Sequence, residues 1–209
     1  ESGQSPQPVV FMQQNYRDHI RITFHLAYPV MLSQLGHMMV NVADAVMVGQ
    51  LGATPLAAAS LANVIFHLLL MFGIGVSYGV TPLVAAADGE GNQLRSGQLL
   101  KHASIINLLT GFVLFILVFA GSKSLGYLEQ PENVVEMAIP YLNIITLSLI
   151  PLMIFQTYRQ FAEGLSRTKM AMIIVIATNL LNVALNYVFI YGKFGFPALG
   201  LNGAGWASL

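Results

Sequence analysis

The sequence contains no cysteine and few charged residues, and these two shortages exclude several classes of protein. Without cysteine, the chain has no disulfide, no thiol catalysis and no cysteine-ligated metal. Charged side chains make up 9% of the 209 residues, whereas soluble domains carry roughly 25%. The formal net charge is +0, which argues against a nucleic-acid partner. The composition therefore excludes an ordinary soluble domain and a nucleic-acid-binding protein.

Long runs without Asp, Glu, Lys or Arg take the place of the missing charges. They cover residues 45–87, 103–122, 137–158 and 170–192. A helix needs about 20 mainly apolar residues to cross the hydrocarbon core of a bilayer, and each run is long enough. The sequence therefore predicts an all-α membrane protein whose helices lie in the lipid bilayer.

Turn signals between the apolar runs predict a bundle of five complete transmembrane helices and the start of a sixth. The predicted helices cover about 16–49, 56–87, 94–121, 132–165 and 169–191, and the sixth begins near residue 201. Pro140 and Pro151 fall inside the fourth predicted helix and should bend it, which neighbouring helices can tolerate in a membrane. Gly73, Gly75 and Gly79 in the second predicted helix indicate close helix packing.

The two ends of the chain lead to separate expectations. Residues 1–15 form a polar N-terminal tail that lacks the charged and apolar regions of a signal peptide. Residues 1–11 are interpreted either as added residues or as a processed tail. The last residues look like the first turns of the sixth helix, so we expect the chain to be part of a longer protein.

The basic residues predict how the helices are oriented in the membrane. If the predicted helices alternate in direction, one side of the membrane holds Arg17, Arg21, Arg95, Lys101, Arg159, Arg167 and Lys169. The other side holds only Lys123 and Lys193. Cytoplasmic loops carry the excess of Lys and Arg, so the N-terminus is expected in the cytoplasm.

Asp44 is the one acidic residue within a predicted span. The others lie at chain ends, in loops or at helix ends: Glu1, Asp18, Asp88, Glu90, Glu129, Glu132, Glu136 and Glu163. A charged side chain at the centre of a transmembrane helix costs about 3 kcal/mol by insertion scales, and it normally faces the bundle interior or a water-filled cavity. An asparagine would hold helices together without that cost, so Asp44 is a candidate functional residue.

Other polar residues share helix faces with Asp44 or form matching faces elsewhere. They are Ser33, Gln34, His37 and Asn41 before Asp44; Asn179, Asn182 and Asn186 in the fifth predicted helix; Ser60, Asn63 and His67 in the second; and Ser104, Asn107 and Gly111 in the third. Four polar faces predict a bundle around a hydrated interior. For Asn63, His67 and Asn107, hydrogen bonds that only hold helices together are the simpler interpretation. For His37 both interpretations stay open.

Two chemical roles are open for Asp44. A buried carboxyl group can bind and release a proton near physiological pH. Alternatively, Asp44 together with the side-chain oxygens of Asn182 and Asn186 can coordinate a hard cation such as Na⁺. Either event changes the charge between the first and fifth predicted helices, which is how an ion gradient can bias a two-state protein.

Enzyme motifs are absent from the sequence. There is no G-x-S-x-G elbow, no H-E-x-x-H pair, no P-loop and no pair of carboxylates within reach of one another. The chain is therefore not expected to be an enzyme, and no cofactor is expected.

Three stretches resemble the multidrug and toxic compound extrusion (MATE) transporters. They are YPVMLSQLGHMMVNVADAVMVGQLGATPLAAASLA (residues 28–62), TPLVAAADGEGN (81–92) and NLLNVALNYVFIYGKFGFPALGLNGAGWAS (179–208). The first is similar to the family's first two helices, the second to the loop after helix 2, and the third to helix 5 with its following loop. All three occur in the family's order.

The resemblance implies twelve helices in two six-helix lobes, of which this chain would supply the first. It implies alternating access in an inner membrane, with export of small organic cations in exchange for Na⁺ or H⁺. Asp44 matches the helix 1 carboxylate implicated in cation coupling, and Pro29 matches the helix 1 bend. Asn182 and Asn186 match the polar pair of helix 5.

Two positions depart from the family pattern, and two other functions are weighed. Some members carry Asp at Asn186, and many carry Gln at His37, so the choice between Na⁺ and H⁺ stays open. A lipid-linked oligosaccharide flippase of the same superfamily would be expected to have a more basic cavity, and no Lys or Arg lies mid-membrane here. A channel or structural membrane protein would show no dependence of flux on a counter-gradient.

Overall fold

The structure is a computed structural model that describes the backbone of residues 16–209. It describes the side chains of residues 20, 21, 23, 24 and 27–209. The predicted N-terminal tail, residues 1–15, lies outside the described residues. Within the described range the chain is helical and has no strand, in agreement with the predicted all-α class.

Eight α-helices follow one another in the part of the chain that the structure describes. They are α1 (Tyr16–Gly49), α2 (Ala53–Tyr78), α3 (Val80–Gly89), α4 (Gln93–Gly121), α5 (Glu132–Thr146), α6 (Leu149–Gly164), α7 (Thr168–Tyr191) and α8 (Leu201–Ala207). A 3-10 turn, Ser122–Tyr127, lies between α4 and α5.

The second predicted helix differs from the structure at its start and is divided in two. Helix α2 begins at Ala53 rather than near residue 56, because Pro55 lies in the first turn, where a backbone N–H has no helical acceptor. A one-residue interruption at Gly79 separates α2 from α3, which ends at Gly89; the φ of −60° and ψ of −21° at Gly79 stay helical, so Ala53–Gly89 remains one helical stretch. The sequence has one long apolar run here, and an apolar run by itself does not indicate where a helix is interrupted.

The fourth predicted helix is also two helices, α5 and α6, which meet at an angle of 43°. Pro151 has no N–H to donate to the carbonyl of Leu147, four residues earlier. The N–H groups of Leu147 and Ser148 instead donate to Ile144 and Ile145, three residues back, at 3.1 and 3.0 Å. The bend therefore falls between the two prolines, and Pro140 lies within α5 without interrupting it.

Three helical stretches among the described residues are long and apolar enough to cross a membrane. They are Ala53–Gly89, Gln93–Tyr127 and Thr168–Tyr191, and the bent pair α5 and α6 makes a fourth if it is one span. Helix α1, which carries Asp44 and its polar neighbours, is not among them. The predicted number of five complete spans thus stays a prediction.

The main hydrophobic core lies between α2, α4, α5 and α8, and α6, α7 and the 3-10 turn also contribute to it. Among its fully buried side chains are Leu125, Leu142, Leu149 and Ile190. Many large apolar side chains are exposed on the outside of the bundle, for example Phe24, Met71, Phe72 and Phe112. Such a surface suits a lipid environment, where apolar side chains need no protein cover.

Gly73 and Gly75 in α2 and Gly79 directly after it differ in what surrounds them. A Cβ at Gly73 would lie 2.8 Å from both Leu114 Cδ1 and Met153 Sδ, so α2 approaches α4 and α6 closely there. A Cβ at Gly75 would meet nothing within 4 Å, and one at Gly79 would meet only the carbonyl oxygen of Val76 at 3.5 Å. The packing prediction is therefore confirmed for Gly73 and wrong for Gly75 and Gly79, which lie on an exposed face.

Contacts between helices position the residues singled out in the sequence. Helix α1 packs mainly against α7, and α8 packs against α7 and α5. A Cβ at Gly203 of α8 would lie 2.5 Å from the carbonyl oxygen of Phe189 in α7, so these two backbones are in close contact. The short α8 is thus held next to the polar face of α7.

Candidate functional site

A hydrogen bond joins Asp44 of α1 to Asn186 of α7. The Asn186 Nδ2 group donates to Asp44 Oδ1 at 2.5 Å. Asn186 is fully buried, whereas Asp44 is half-buried. The Oδ1 atom of Asn186 is buried and has no hydrogen-bond partner among the described residues. The predicted pair therefore meets, and one buried oxygen beside the carboxylate is left without a partner.

Asn182 extends this contact to α8. Its Oδ1 accepts a second hydrogen bond from Asn186 Nδ2 at 3.1 Å. Its own Nδ2 donates to the carbonyl oxygen of Ala207 at 3.1 Å and to Ser208 Oγ at 3.4 Å. Asp44, Asn182, Asn186, Ala207 and Ser208 together form what we call the α1–α7–α8 junction.

Asn179, the first residue of the predicted α7 face, lies against α1 rather than in the hydrogen-bonded chain. A Cβ at Gly36 would approach Asn179 Nδ2 to 3.3 Å. The same Nδ2 atom is buried without a hydrogen-bond partner among the described residues. Gly36 thus allows α1 to lie close to Asn179, one turn before Asn182.

The polar stripe of α1 is mostly exposed outside the junction. Gln34, His37 and Asn41 are exposed, as expected for residues that face a cavity or another part of a longer protein. Ser33 is buried and donates to the carbonyl oxygen of Pro29 at 2.8 Å, within α1 itself. Helix α1 continues through Pro29, and the bend at this proline stays a prediction.

Asn63 and His67 of α2 are connected to α5 and to their own backbone. The Tyr141 hydroxyl donates to Asn63 Oδ1 at 3.4 Å, and Tyr141 is buried. The His67 ring Nδ1 lies 2.8 Å from the carbonyl oxygen of Asn63, and the His67 side chain is exposed. These contacts fit the simpler interpretation in which both residues make helix hydrogen bonds.

The polar face of α4 does not join the others around one interior. Asn107 is buried, accepts from Ser77 Oγ at 3.2 Å and donates to Thr157 Oγ1 at 2.8 Å. Nearby, Thr81 Oγ1 donates to Gln160 Oε1 at 2.6 Å. The expectation of four polar faces around a hydrated interior is thus wrong for α4, because Asn107 is satisfied by α2 and α6.

Sequence reasoning missed the partners that α5 and α8 supply. Tyr141 bonds a residue 78 positions away, and no local pattern marks it. Ala207 contributes only a backbone oxygen, which any residue would supply. Asn107 was expected to make hydrogen bonds between helices, and it does. Its partners Ser77 and Thr157 lie in other helices, so spacing within α4 could not identify them.

Oxygen atoms dominate the chemistry available at the α1–α7–α8 junction. One carboxylate, two side-chain amides and a backbone carbonyl lie within a chain of hydrogen bonds. Among the described residues, no group of three or more His, Cys, Asp or Glu comes together. The junction thus lacks the ligands of a transition-metal site and has those that suit a proton or a hard monovalent cation.

Comparisons with known proteins place the chain in a family. The family model described as MatE matches residues 29–188. The probable multidrug resistance protein NorM of Rhizobium meliloti (strain 1021) is 37% identical over 191 residues, which are 91% of this chain and 41% of that protein. The probable NorM protein of Synechocystis sp. is 35% identical over 198 residues, which are 95% of this chain and 42% of that protein. The chain therefore spans about two-fifths of the length of these curated relatives.

Solved structures agree on the fold. A transporter of the MOP superfamily from Pyrococcus furiosus aligns with a TM-score of 0.82 at 22% identity, over 90% of this chain and 41% of that chain. A MATE structure in complex with MaD5 aligns with a TM-score of 0.83 at 23% identity, over 90% of this chain and 42% of that chain. The MatE family consists of multi-pass membrane transporters and not of enzymes. This confirms two expectations from the sequence, that the chain is a membrane protein and that it is not an enzyme. This chain belongs to the MatE family, that of the multidrug and toxic compound extrusion transporters.

Proposed function

We propose that the whole protein exports small organic cations in exchange for Na⁺ or H⁺, with Asp44 as the coupling carboxylate. The hydrogen bond between Asp44 and Asn186 carries this proposal, because it links the one acidic residue within a predicted span to a second helix. The relatives named as multidrug resistance proteins support the substrate class. In this proposal the chain is the first lobe, and a second lobe completes the transport path.

Binding of an ion at Asp44 would change the hydrogen bonds of Asn186 in the α1–α7–α8 junction. While Asp44 is ionised and empty, the Asn186 amide donates to it. A proton on Asp44, or a Na⁺ ion beside it, needs an oxygen rather than an N–H group. Reversal of the amide would present the Oδ1 atom of Asn186, which has no hydrogen-bond partner among the described residues.

The oxygen ligands at the junction suit Na⁺ as the transported ion. The Asp44 carboxylate, the Asn186 oxygen and the Asn182 oxygen can supply the hard oxygen atoms that such a cation prefers. A proton would use the same carboxylate without the amide of Asn182. The two ions therefore predict different effects when Asn182 is replaced, although both predict loss of coupling without Asp44.

Ion binding at the junction would also affect residues that do not contact the ion. Reversal of the Asn186 amide removes the N–H that Asn182 Oδ1 accepts, and Asn182 is bonded to the end of α8. Ion binding would then change the contacts among α1, α7 and α8 together. A difference in ion affinity between two arrangements of these helices is what alternating access requires.

The orientation proposed with this function follows the basic residues. The N-terminus, the α3–α4 loop and the α6–α7 loop would lie on the cytoplasmic side of an inner membrane. The exposed residues Gln34, His37 and Asn41 would face the substrate path or the second lobe, with Pro29 as the bend of α1.

Flux of a fluorescent organic cation into liposomes tests this function. The full-length protein is reconstituted, and either a Na⁺ or an H⁺ gradient is imposed; protein-free liposomes and ionophore-treated liposomes serve as controls. We expect one of the gradients to drive uptake and an ionophore for that ion to stop it. Flux that ignores both gradients would contradict the antiporter and would favour a channel.

A further inference from the structure

A groove lies where the junction of α2 and α3 faces α4. It encloses about 250 Å³. Its walls and floor include Val76, Gly79, Leu83, Leu99, His102 and Asn107. Val76, Leu83 and Ile106 are exposed at the rim, whereas Val80 and Ala103 are buried. The groove is open partly because Gly79 has no side chain and a Cβ there would meet only one backbone oxygen.

The floor of the groove offers little to a polar ligand. Asn107 is 1% exposed, and both its amide oxygen and its amide nitrogen are already bonded, to Ser77 and to Thr157. The remaining lining is aliphatic apart from His102. An apolar chain is therefore the occupant that this lining suits.

Polar and charged residues lie near one end of the groove in the sequence of α4. His102 is exposed, and the uncharged run 103–122 begins directly after it, so His102 lies where α4 passes from apolar to polar surroundings. One face of α4 carries Arg95, Leu99 and His102, because Leu99 lies four residues after Arg95 and His102 lies three residues after Leu99. Lys101 is also exposed at this level.

Two acidic residues are also present at this end and limit the charge there. Arg95 pairs with Glu90 at 2.6 Å, and these side chains are 46% and 54% exposed. Asp88 is exposed at the end of α3. A surface ion pair of this kind contributes about 0–1 kcal/mol, so Arg95 can contact a phosphate without a large loss.

We propose that this groove binds a membrane phospholipid, with one acyl chain along the apolar lining and the phosphate beside His102 and Arg95. The apolar lining accounts for the acyl chain, and the change from apolar to polar surface at His102, with Arg95 on the same face of α4, accounts for the position of the phosphate. The site lies apart from the α1–α7–α8 junction and does not depend on the transport reaction.

Quenching by a spin-labelled lipid tests the site directly. The chain has no cysteine, so a fluorophore can be attached at Leu83→Cys on the rim, or at Leu117→Cys as an exposed control further along α4; any cysteine outside this chain is first replaced. The full-length protein is placed in phosphatidylcholine nanodiscs that contain phosphatidylglycerol with a nitroxide on its acyl chain. Quenching gives the affinity of the spin-labelled lipid relative to the host lipid at each position.

We expect a higher relative affinity at Leu83→Cys than at Leu117→Cys. Gly79→Leu should fill the groove and remove the difference, whereas Gly75→Leu, on the same helix but outside the lining, should keep it. Arg95→Gln should lower the relative affinity about fivefold, equivalent to about 1 kcal/mol for one basic residue near a lipid phosphate; Lys123→Gln, at the other end of α4, should not.

Three results would overturn the proposal. One is an equal relative affinity at the two labelled positions. Another is an equal effect of the two glycine substitutions, since the groove would then not be the cause. The third is the absence of quenching at Leu83→Cys, which would mean that another part of the protein covers the groove. An unchanged affinity in Arg95→Gln would overturn the position given to the phosphate.

Discussion

Asn186 is the side chain that holds the α1–α7–α8 junction together. Its amide nitrogen donates both to Asp44 and to Asn182, and the residue is fully buried. A hydrogen bond to a charged group contributes about 1.5–3 kcal/mol, which is more than a surface contact provides. Removal of this amide leaves the Asp44 carboxylate without its one observed donor among the described residues.

We expect Asn186→Ala to lower the free energy of unfolding by about 1.5–3 kcal/mol, because Asp44 loses a charge-assisted hydrogen bond. The measurement is the unfolding of the full-length protein in mixed micelles of increasing denaturing detergent. Asn133→Ala is the control, since the Asn133 side chain makes one exposed bond of 3.5 Å, to Thr54, among the residues that the structure describes. Equal stability of the two variants would show that the Asn186 bond contributes little.

Helix α8 is short, yet it contacts both α7 and α5. Gly203 lies against the backbone of Phe189, and a Cβ at Gly205 would be 3.1 Å from Ile144 Cγ2. Small residues at such positions let helix backbones approach closely in a membrane. The position of α8 then brings the Ala207 carbonyl to Asn182.

Gly203→Ala should separate α8 from α7, because its Cβ would lie 2.5 Å from the Phe189 oxygen and backbone atoms cannot turn aside. We expect a loss of about 1–3 kcal/mol in unfolding free energy, as for other overpacked sites. Gly75→Ala is the matched variant: its Cβ would meet nothing within 4 Å, so it should be neutral or stabilising by up to about 1 kcal/mol. A Gly203→Ala protein as stable as Gly75→Ala would contradict the close contact.

Helical spacing predicted part of the site and could not predict the rest. It placed Asp44 on one face of α1 and Asn182 with Asn186 on one face of α7, because residues three and four apart share a face. It did not predict the break at Gly79, since glycine fits a helix interior and only neighbouring contacts show whether the helix continues. For Asn107 the simpler interpretation, hydrogen bonds that hold helices together, is confirmed, but spacing within α4 could not name its two partners, because they come from other helices.

The proposed orientation of the whole bundle is based on where its basic residues lie. We expect a cysteine at Gln93, in the α3–α4 region, to react with a membrane-impermeant thiol reagent only after cells are permeabilised. A cysteine at Gln130, between the 3-10 turn and α5, should react in intact cells. Both side chains are exposed, so access from each side of the membrane is the main difference between them. The reverse pattern would place the N-terminus outside the cytoplasm.

In the proposed antiport, the Asp44 carboxylate would couple ion movement to substrate movement. The most direct measurement is gradient-driven flux of a fluorescent organic cation by the full-length protein in liposomes, wild type against Asp44→Asn. Asp88→Asn, an exposed acidic residue at the end of α3, is the control. We predict that Asp44→Asn abolishes the effect of the ion gradient while Asp88→Asn keeps it. Gradient-driven flux that survives in Asp44→Asn would contradict the coupling role of Asp44.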